Sequence, residues 1–492
     1  MFGNQIAGKN SCKGNRLFSS FNPRLNSINI EKFPVATFEE IQEAIEVADE
    51  SFFSFAKSTS QERSELLVKI ATEFTKAKNK IQGAYCKESG LSSERFDIEF
   101  SRTYNQILLF AHFLEKSNWN FISENQADSS KNLPKLTKKR IPLGPVVVFG
   151  ASNFPLAYST LGGDTVSALA AGCPVIVKAH PYHPKTSFLI GEVIQNAIAE
   201  TTFSPGIFSQ LFDDRYDVAE ILVQDKRIKA GGFTGSYRGG KALYDLAQKR
   251  ENPIPFFAEM GSSNPVFVFP ELLVEKKEEW TSLFAKSITN DAGQFCTKPG
   301  IFFVPNTSFG NEFIQSLIEK VFVEPSFFML HPTIYSSFER NKIARLNKSK
   351  GELFEKQGEL KPNQGRQAVL VTSVEDLFEN PSLQEEVFGP FVIVFTYNSN
   401  DELKNAIELL YGQLTATILA SEEEIETHEP FIFLLKQRAG RLIFNGVPTG
   451  VRVCQSMHHG GPFPASSDSR FTAVGTDSIS RFTRPIVYQG NS

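Results

Sequence analysis

The chain has 492 residues, a formal charge of −4 and 22% charged residues, enough for two or three domains but without the basic field that would draw nucleic acid or an anionic membrane. Its five cysteines, Cys12, Cys86, Cys173, Cys296 and Cys454, are scattered, with no CxxC pair and no zinc-site spacing, so the expected setting is reducing and cytoplasmic. The opening MFGNQIAGKNSCKG has no signal-peptide apolar run, no stretch reaches the roughly 18 apolar residues of a membrane span, and a small molecule is the expected partner.

Thr37 with Glu40, and Thr59 with Glu62, make two capping boxes. Ile41, Ile45, Ala48, Phe52 and Phe55 follow the first at helical spacing, and Leu66, Leu67, Ile70 and Phe74 follow the second. The first hundred residues are therefore expected to be mainly helical. Residues 118 to 140 are polar, turn basic towards their end and read as an arm or hairpin. From 146 to 149 runs a continuous apolar stretch of the kind that fills a buried parallel strand. Pro155 suits the first turn of a helix, where Asn153 could also act as its cap, Gly172 closes that helix, and a second strand is expected at 175 to 177.

The alternation continues with a helix near 187 to 200, a strand at 208 to 212, a helix from Asp217, a strand ending at Phe233 and a helix from Tyr237. This predicts an α/β fold with a doubly wound sheet and its ligand at the carboxyl ends of the strands. GxGxxG is absent, so the dinucleotide site would be a variant one. A second alternating region runs from Pro265 to about 450, with a helix through Trp280 to Ile288 leading to Gly293 and Cys296. The 46 phenylalanines are spread throughout and read as core.

Five short motifs stand in order: SNFP at 152–155, FTGS at 233–236, AEMGSSNP at 258–265, GQFCTKPG at 293–300 and EEVFGPF at 385–391. Each alone is weak, since a lone cysteine is usually a small buried hydrophobe. Together, over nearly the whole chain, they closely resemble the aldehyde dehydrogenase superfamily. The resemblance implies a variant Rossmann cofactor domain (1–117 and 141–261), an α/β catalytic domain (262–467) and a small β oligomerisation arm with the C-terminal tail (118–140 and 468–492). It also implies a homodimer or homotetramer in which arm and tail pair across subunits.

The chemistry explains the residue types. An aldehyde carbon donates hydride only after a nucleophile has added, and Cys296 is the candidate. Asn153 and the Cys296 backbone N–H would hold the oxyanion, and Glu259 would activate the water that cleaves the thioester. By resemblance, Lys178 holds the adenosine ribose, Gly235 and Ser236 lie beneath the pyrophosphate, and Glu386 and Phe388 place the nicotinamide half. Where NAD-preferring members carry a glutamate three positions after the lysine, this chain has Pro181. Loss of that carboxylate favours NADP, with NAD possible, and Arg215 and Arg238 are additional phosphate candidates.

The stretches LGGDTVSALAAGCPVIVKAHPYHPKTS and FNGVPTGVRVCQSMHHGGPFPASSDSRFTAVGT resemble the branch acting on α-ketoglutaric semialdehyde (2,5-dioxopentanoate) to yield 2-oxoglutarate. A branch of NADP-dependent long-chain aldehyde dehydrogenases lies near it. A carboxylate-bearing substrate calls for a cation, and Arg102 and Arg452 are the candidates. His458 and His459 are adjacent in a Gly-rich loop, a poor chelating pair, and no metal is expected. Glu259 argues against a CoA-acylating enzyme, and the intact cysteine, glutamate and asparagine set argues against a non-catalytic structural relative. A cofactor-free thiol hydrolase would need a histidine base, and none of the seven histidines lies in a matching motif.

Overall fold

The computed structural model describes residues 2–116 and 118–490, with the backbone alone at 272–275. Residues 1, 117, 491 and 492, at the outer limits of the expected segments, lie outside the described residues.

The first sheet has seven strands. Five are parallel, in the spatial order Phe256–Glu259, Ala230–Thr234, Val146–Phe149, Val175–Lys178 and Phe208–Leu211. Strand order reverses beside Val146–Phe149, which is the doubly wound arrangement, and a ligand crevice is expected beyond the carboxyl ends there. Helix Gly163–Ala171 follows Val146–Phe149 in the chain and ends at Gly172, whose φ of 91° takes the left-handed cap. Both expected capping boxes form, on Phe38–Ala56 and Ser60–Lys76.

Two features differ from expectation. Asn4–Ile6 and Lys9–Ser11 extend the sheet as antiparallel strands that were not expected, while the first hundred residues are mainly helical as expected. Asn4 and Gln5 are fully buried there because their side chains bond to Glu40, the Phe188 carbonyl and Gln210. The helix expected from Pro155 starts only at Gly163, so Asn153 caps no helix. Glu99 Oε1 accepts from the backbone N–H groups of both Leu156 and Ala157, at 2.8 and 2.9 Å. That carboxylate supplies the partner a helical cap would otherwise give, and holds 154–162 as a buried turn.

The second sheet also has seven strands, ordered Glu352–Glu355, Ala368–Ser373, Phe391–Tyr397, Ile301–Pro305, Val266–Val268, Gln413–Leu419 and Ala439–Phe444. All are parallel except the first. Its core is rich in aromatic pairs, such as Phe267 stacked on Phe303 and Phe303 on Phe395, which absorbs part of the phenylalanine content.

A three-stranded antiparallel sheet joins Thr483–Gln489, Leu136–Pro142 and Phe121–Asn125. Arm and tail thus pair with each other within the one chain. The buried pair Arg481–Asp164, 2.8 Å apart, anchors the tail to helix Gly163–Ala171. Among the described residues, no helix is long and apolar enough to cross a membrane.

Candidate active site

Cys296 sits in a loop after helix Pro270–Thr289. Three consecutive residues before it, Asp291, Ala292 and Gly293, take left-handed φ values of 47°, 57° and 65°. A Cβ on Gly293 would lie 2.5 Å from the Gly389 carbonyl oxygen, so only glycine lets this loop back onto EEVFGPF. Asn264 Nδ2 donates to the carbonyls of Cys296 and Lys298, at 2.8 and 2.9 Å. Lys298 Nζ donates to the Val387 and Phe391 carbonyls. Three of the sequence motifs are therefore one hydrogen-bonded unit around the cysteine.

Helix Ser93–Lys116 connects that unit to the SNFP turn. Arg95 Nε donates to Asp291 Oδ2 at 2.9 Å, and its Nη1 donates to Glu99 Oε2 at 3.0 Å. The Arg95 guanidinium also lies over the Phe154 and Phe295 rings. Glu99 is fully buried and serves the turn with its other oxygen. One helix face thus holds Asn153 and Cys296 in register, although they come from different sheets. Asn153 Nδ2 donates to the Gln294 carbonyl at 2.9 Å, leaving its second N–H free.

Glu259 ends its strand with 1% exposure. Neither of its carboxylate oxygens has a hydrogen bond. A residue that sequence reasoning missed stands between it and the thiol. His459 Nε2 is 3.6 Å from Cys296 Sγ and 2.7 Å from Glu259 Oε1, the latter contact being close but poorly aligned for a hydrogen bond. His459 lies in none of the five motifs, yet the structure brings its ring against the thiol. The backbone of His459 is held by Thr472 and Ala473, and the segment around it returns to Glu259 through the Met260 N–H to Ala465 carbonyl bond. Its ring is tilted against Tyr158 at 6.0 Å. Burial, reinforced by the charges of Glu259 and Glu386, pushes the Cys296 thiol well up, with Arg102 opposing. Surroundings that disfavour the thiolate call for a nearby proton acceptor.

The substrate-side cations divide. Arg102 Nη2 donates to the Tyr158 hydroxyl at 2.7 Å and its Nε to the Val451 carbonyl at 3.5 Å, while its Nη1 is buried without a partner. Arg452 is exposed. Arg441, which the sequence did not single out, reaches the same loop through the Pro448 and Gly450 carbonyls and leaves Nε buried and unpaired. Burial lowers its guanidinium from the ordinary value.

On the cofactor side, Lys178 ends its strand, and burial pushes its amine down to about 8 against the opposing charges of Asp213 and Asp214. Ser236 caps helix Tyr237–Gln248 by accepting from Gly239 N, with Gly235 just before it. That helix N-terminus, in the crevice at the strand ends, suits a pyrophosphate. Glu386 packs over Gly261, where a Cβ would lie 2.2 Å from its Oε2, and Phe388 follows half-buried in the same loop. Arg215 and Arg238 are exposed, and Pro181 presents no carboxylate. A lysine, a helix N-terminus and a carboxylate in one crevice are groups that could hold a dinucleotide.

The aldehyde dehydrogenase family model matches residues 10–482. The chain is 40% identical to an alpha-ketoglutaric semialdehyde dehydrogenase of Acinetobacter baylyi, covering 99% of this chain and 94% of that one. It is 37% identical to alpha-ketoglutaric semialdehyde dehydrogenase 2 of Azospirillum brasilense, covering 94% and 89%. Among solved structures it is similar to betaine aldehyde dehydrogenase of Staphylococcus aureus in complex with NAD+, with TM-score 0.85, 18% identity and coverage of 100% and 95%. It is also similar to aldehyde dehydrogenase 21 of Physcomitrella patens in complex with succinate, with TM-score 0.83, 22% identity and coverage of 99% and 98%. With residues 10–482 matched by the family model and a relative 40% identical over 99% of its length, the chain belongs to the aldehyde dehydrogenase family.

Proposed function

We propose that this enzyme oxidises 2,5-dioxopentanoate to 2-oxoglutarate with NADP, through a thioester on Cys296. The observation that carries the reading is the Cys296 thiol facing His459 Nε2, with the buried, unbonded carboxylate of Glu259 beside both. His459 Nε2 accepts the thiol proton as Sγ adds to the aldehyde carbon, and Glu259 stabilises the imidazolium that forms. The free N–H of Asn153 and the Cys296 backbone N–H receive the oxyanion. NADP supplies the hydride acceptor. Water held by Glu259 then attacks the thioester carbonyl and releases the acid.

The substrate assignment is supported by the names of the two similar relatives and by the unpaired Nη1 of Arg102, a donor that a carboxylate would satisfy. Lys178 and Pro181 support NADP. The arm sheet, whose edge strand Phe121–Asn125 is exposed along its length, supports a homodimer or homotetramer, and the scattered unpaired cysteines support a cytoplasmic setting.

The test is steady-state reduction of NADP and NAD with 2,5-dioxopentanoate, succinic semialdehyde, glutaraldehyde and a long-chain aldehyde. The highest kcat/KM is expected for 2,5-dioxopentanoate with NADP; a preference for the long-chain aldehyde would overturn the substrate assignment.

Cofactor binding should depend on pH. Burial raises Glu386 to about 7 against the opposing charge of Lys298, and only the ionised carboxylate accepts from both ribose hydroxyls. Affinity for NADP is expected to tighten as pH rises through neutrality, because the proton leaves over that range. Titrations by fluorescence should show this, and Glu386→Gln should flatten the dependence.

A further inference from the structure

The groups proposed to react also have the composition of a metal site. Cys296 Sγ, His459 Nε2 and a Glu259 oxygen all lie within 4.8 Å of one another. A tetrahedral zinc ion, with bonds of about 2.0–2.3 Å, spreads its ligand atoms roughly 3.3–3.7 Å apart. The sulfur to nitrogen separation of 3.6 Å already falls in that range. The nitrogen to oxygen separation of 2.7 Å is shorter, so the carboxylate must move away by a fraction of an ångström. No hydrogen bond resists that movement, since both oxygens of Glu259 are buried without one.

We propose that Cys296, His459 and Glu259 bind one Zn2+ ion, and that this ion reversibly switches the enzyme off. Thiolate, imidazole and carboxylate together suit zinc better than magnesium or calcium, which take oxygen ligands. Three protein ligands leave the fourth position for solvent. The sequence led to an expectation of no metal, and this proposal departs from it: of the adjacent pair only His459 takes part, with ligands 163 and 200 residues away in sequence. Binding is balanced by release of the thiol proton, since the ion replaces hydrogen on sulfur. With sulfur and carboxylate both occupied, no nucleophile remains for the aldehyde. The inhibitory consequence rests on the proposed reaction; the binding does not.

The experiment uses the full-length enzyme freed of metal by a chelator, without reductant thiols. Addition of Co2+ as a spectroscopic substitute is expected to give a thiolate-to-cobalt charge-transfer band and visible bands of tetrahedral intensity, both abolished by one equivalent of Zn2+. Zn2+ should inhibit competitively against aldehyde, with activity restored by EDTA. His459→Gln should weaken Zn2+ binding by at least about tenfold, and Cys296→Ser should remove the charge-transfer band. Retained cofactor-induced thermal stabilisation will show that both variants fold. Absence of the band in the parent enzyme, or unchanged Zn2+ affinity in His459→Gln, would overturn the proposal. A band in an enzyme that oxidises none of the aldehydes would uphold the metal site and refute the proposed reaction.

Discussion

Cys296→Ala is expected to lower kcat/KM for aldehyde oxidation by at least about 10⁴-fold while NADP binding stays near the parent value. Without sulfur the aldehyde carbon remains trigonal, and nothing else in the site replaces the nucleophile. Cofactor affinity is the control, because Lys178, Ser236 and Glu386 come from other segments of chain. Isothermal titration with NADP, beside a progress curve at high enzyme concentration, checks both halves. Near-parental turnover would remove Cys296 from the mechanism. A variant that had lost cofactor binding as well would point to collapse of the loop that Asn264 and Lys298 hold.

Glu259→Gln should affect a different step. The amide keeps the volume of the side chain but loses the proton acceptor, so water attack on the thioester slows and steady-state turnover falls by about 10²–10⁴-fold. Acylation precedes that step, so a burst of one NADPH per active site is expected in stopped flow. His459→Gln should show the reverse pattern, with the burst itself slowed, because the raised thiol of Cys296 then lacks the base 3.6 Å away. Loss of the burst in Glu259→Gln would move that carboxylate into the acylation step.

The contrast between these variants mirrors what was legible in the sequence. Strand Val146–Phe149, the capping boxes at Thr37 and Thr59 and the helix from Tyr237 are local patterns, and the structure forms all of them. The motifs around Asn153, Glu259, Cys296 and Glu386 were legible because each is a short continuous string. His459 was not, because its meaning lies in its distance from a cysteine 163 residues earlier. Arg441 was hidden similarly, as its tie to the site runs through the carbonyls of Pro448 and Gly450.

The helix expected from Pro155 failed for a related reason. Proline and the apolar residues after it satisfy local rules, but Glu99, more than fifty residues earlier, takes the two backbone donors and fixes a turn instead. Strand Asn4–Ile6 was missed because two of its three residues are polar. Their burial makes sense only once Glu40 and Gln210 are in place to bond them.

The thioester on Cys296 is the central claim, and trapping it is the most direct test. Glu259→Gln mixed with NADP and 2,5-dioxopentanoate, quenched in acid during the burst and digested, should carry a 2-oxoglutaryl group on the peptide containing Cys296, detected by mass spectrometry in amount equal to the NADPH formed. NADPH formation with no acyl group on that peptide would contradict the account.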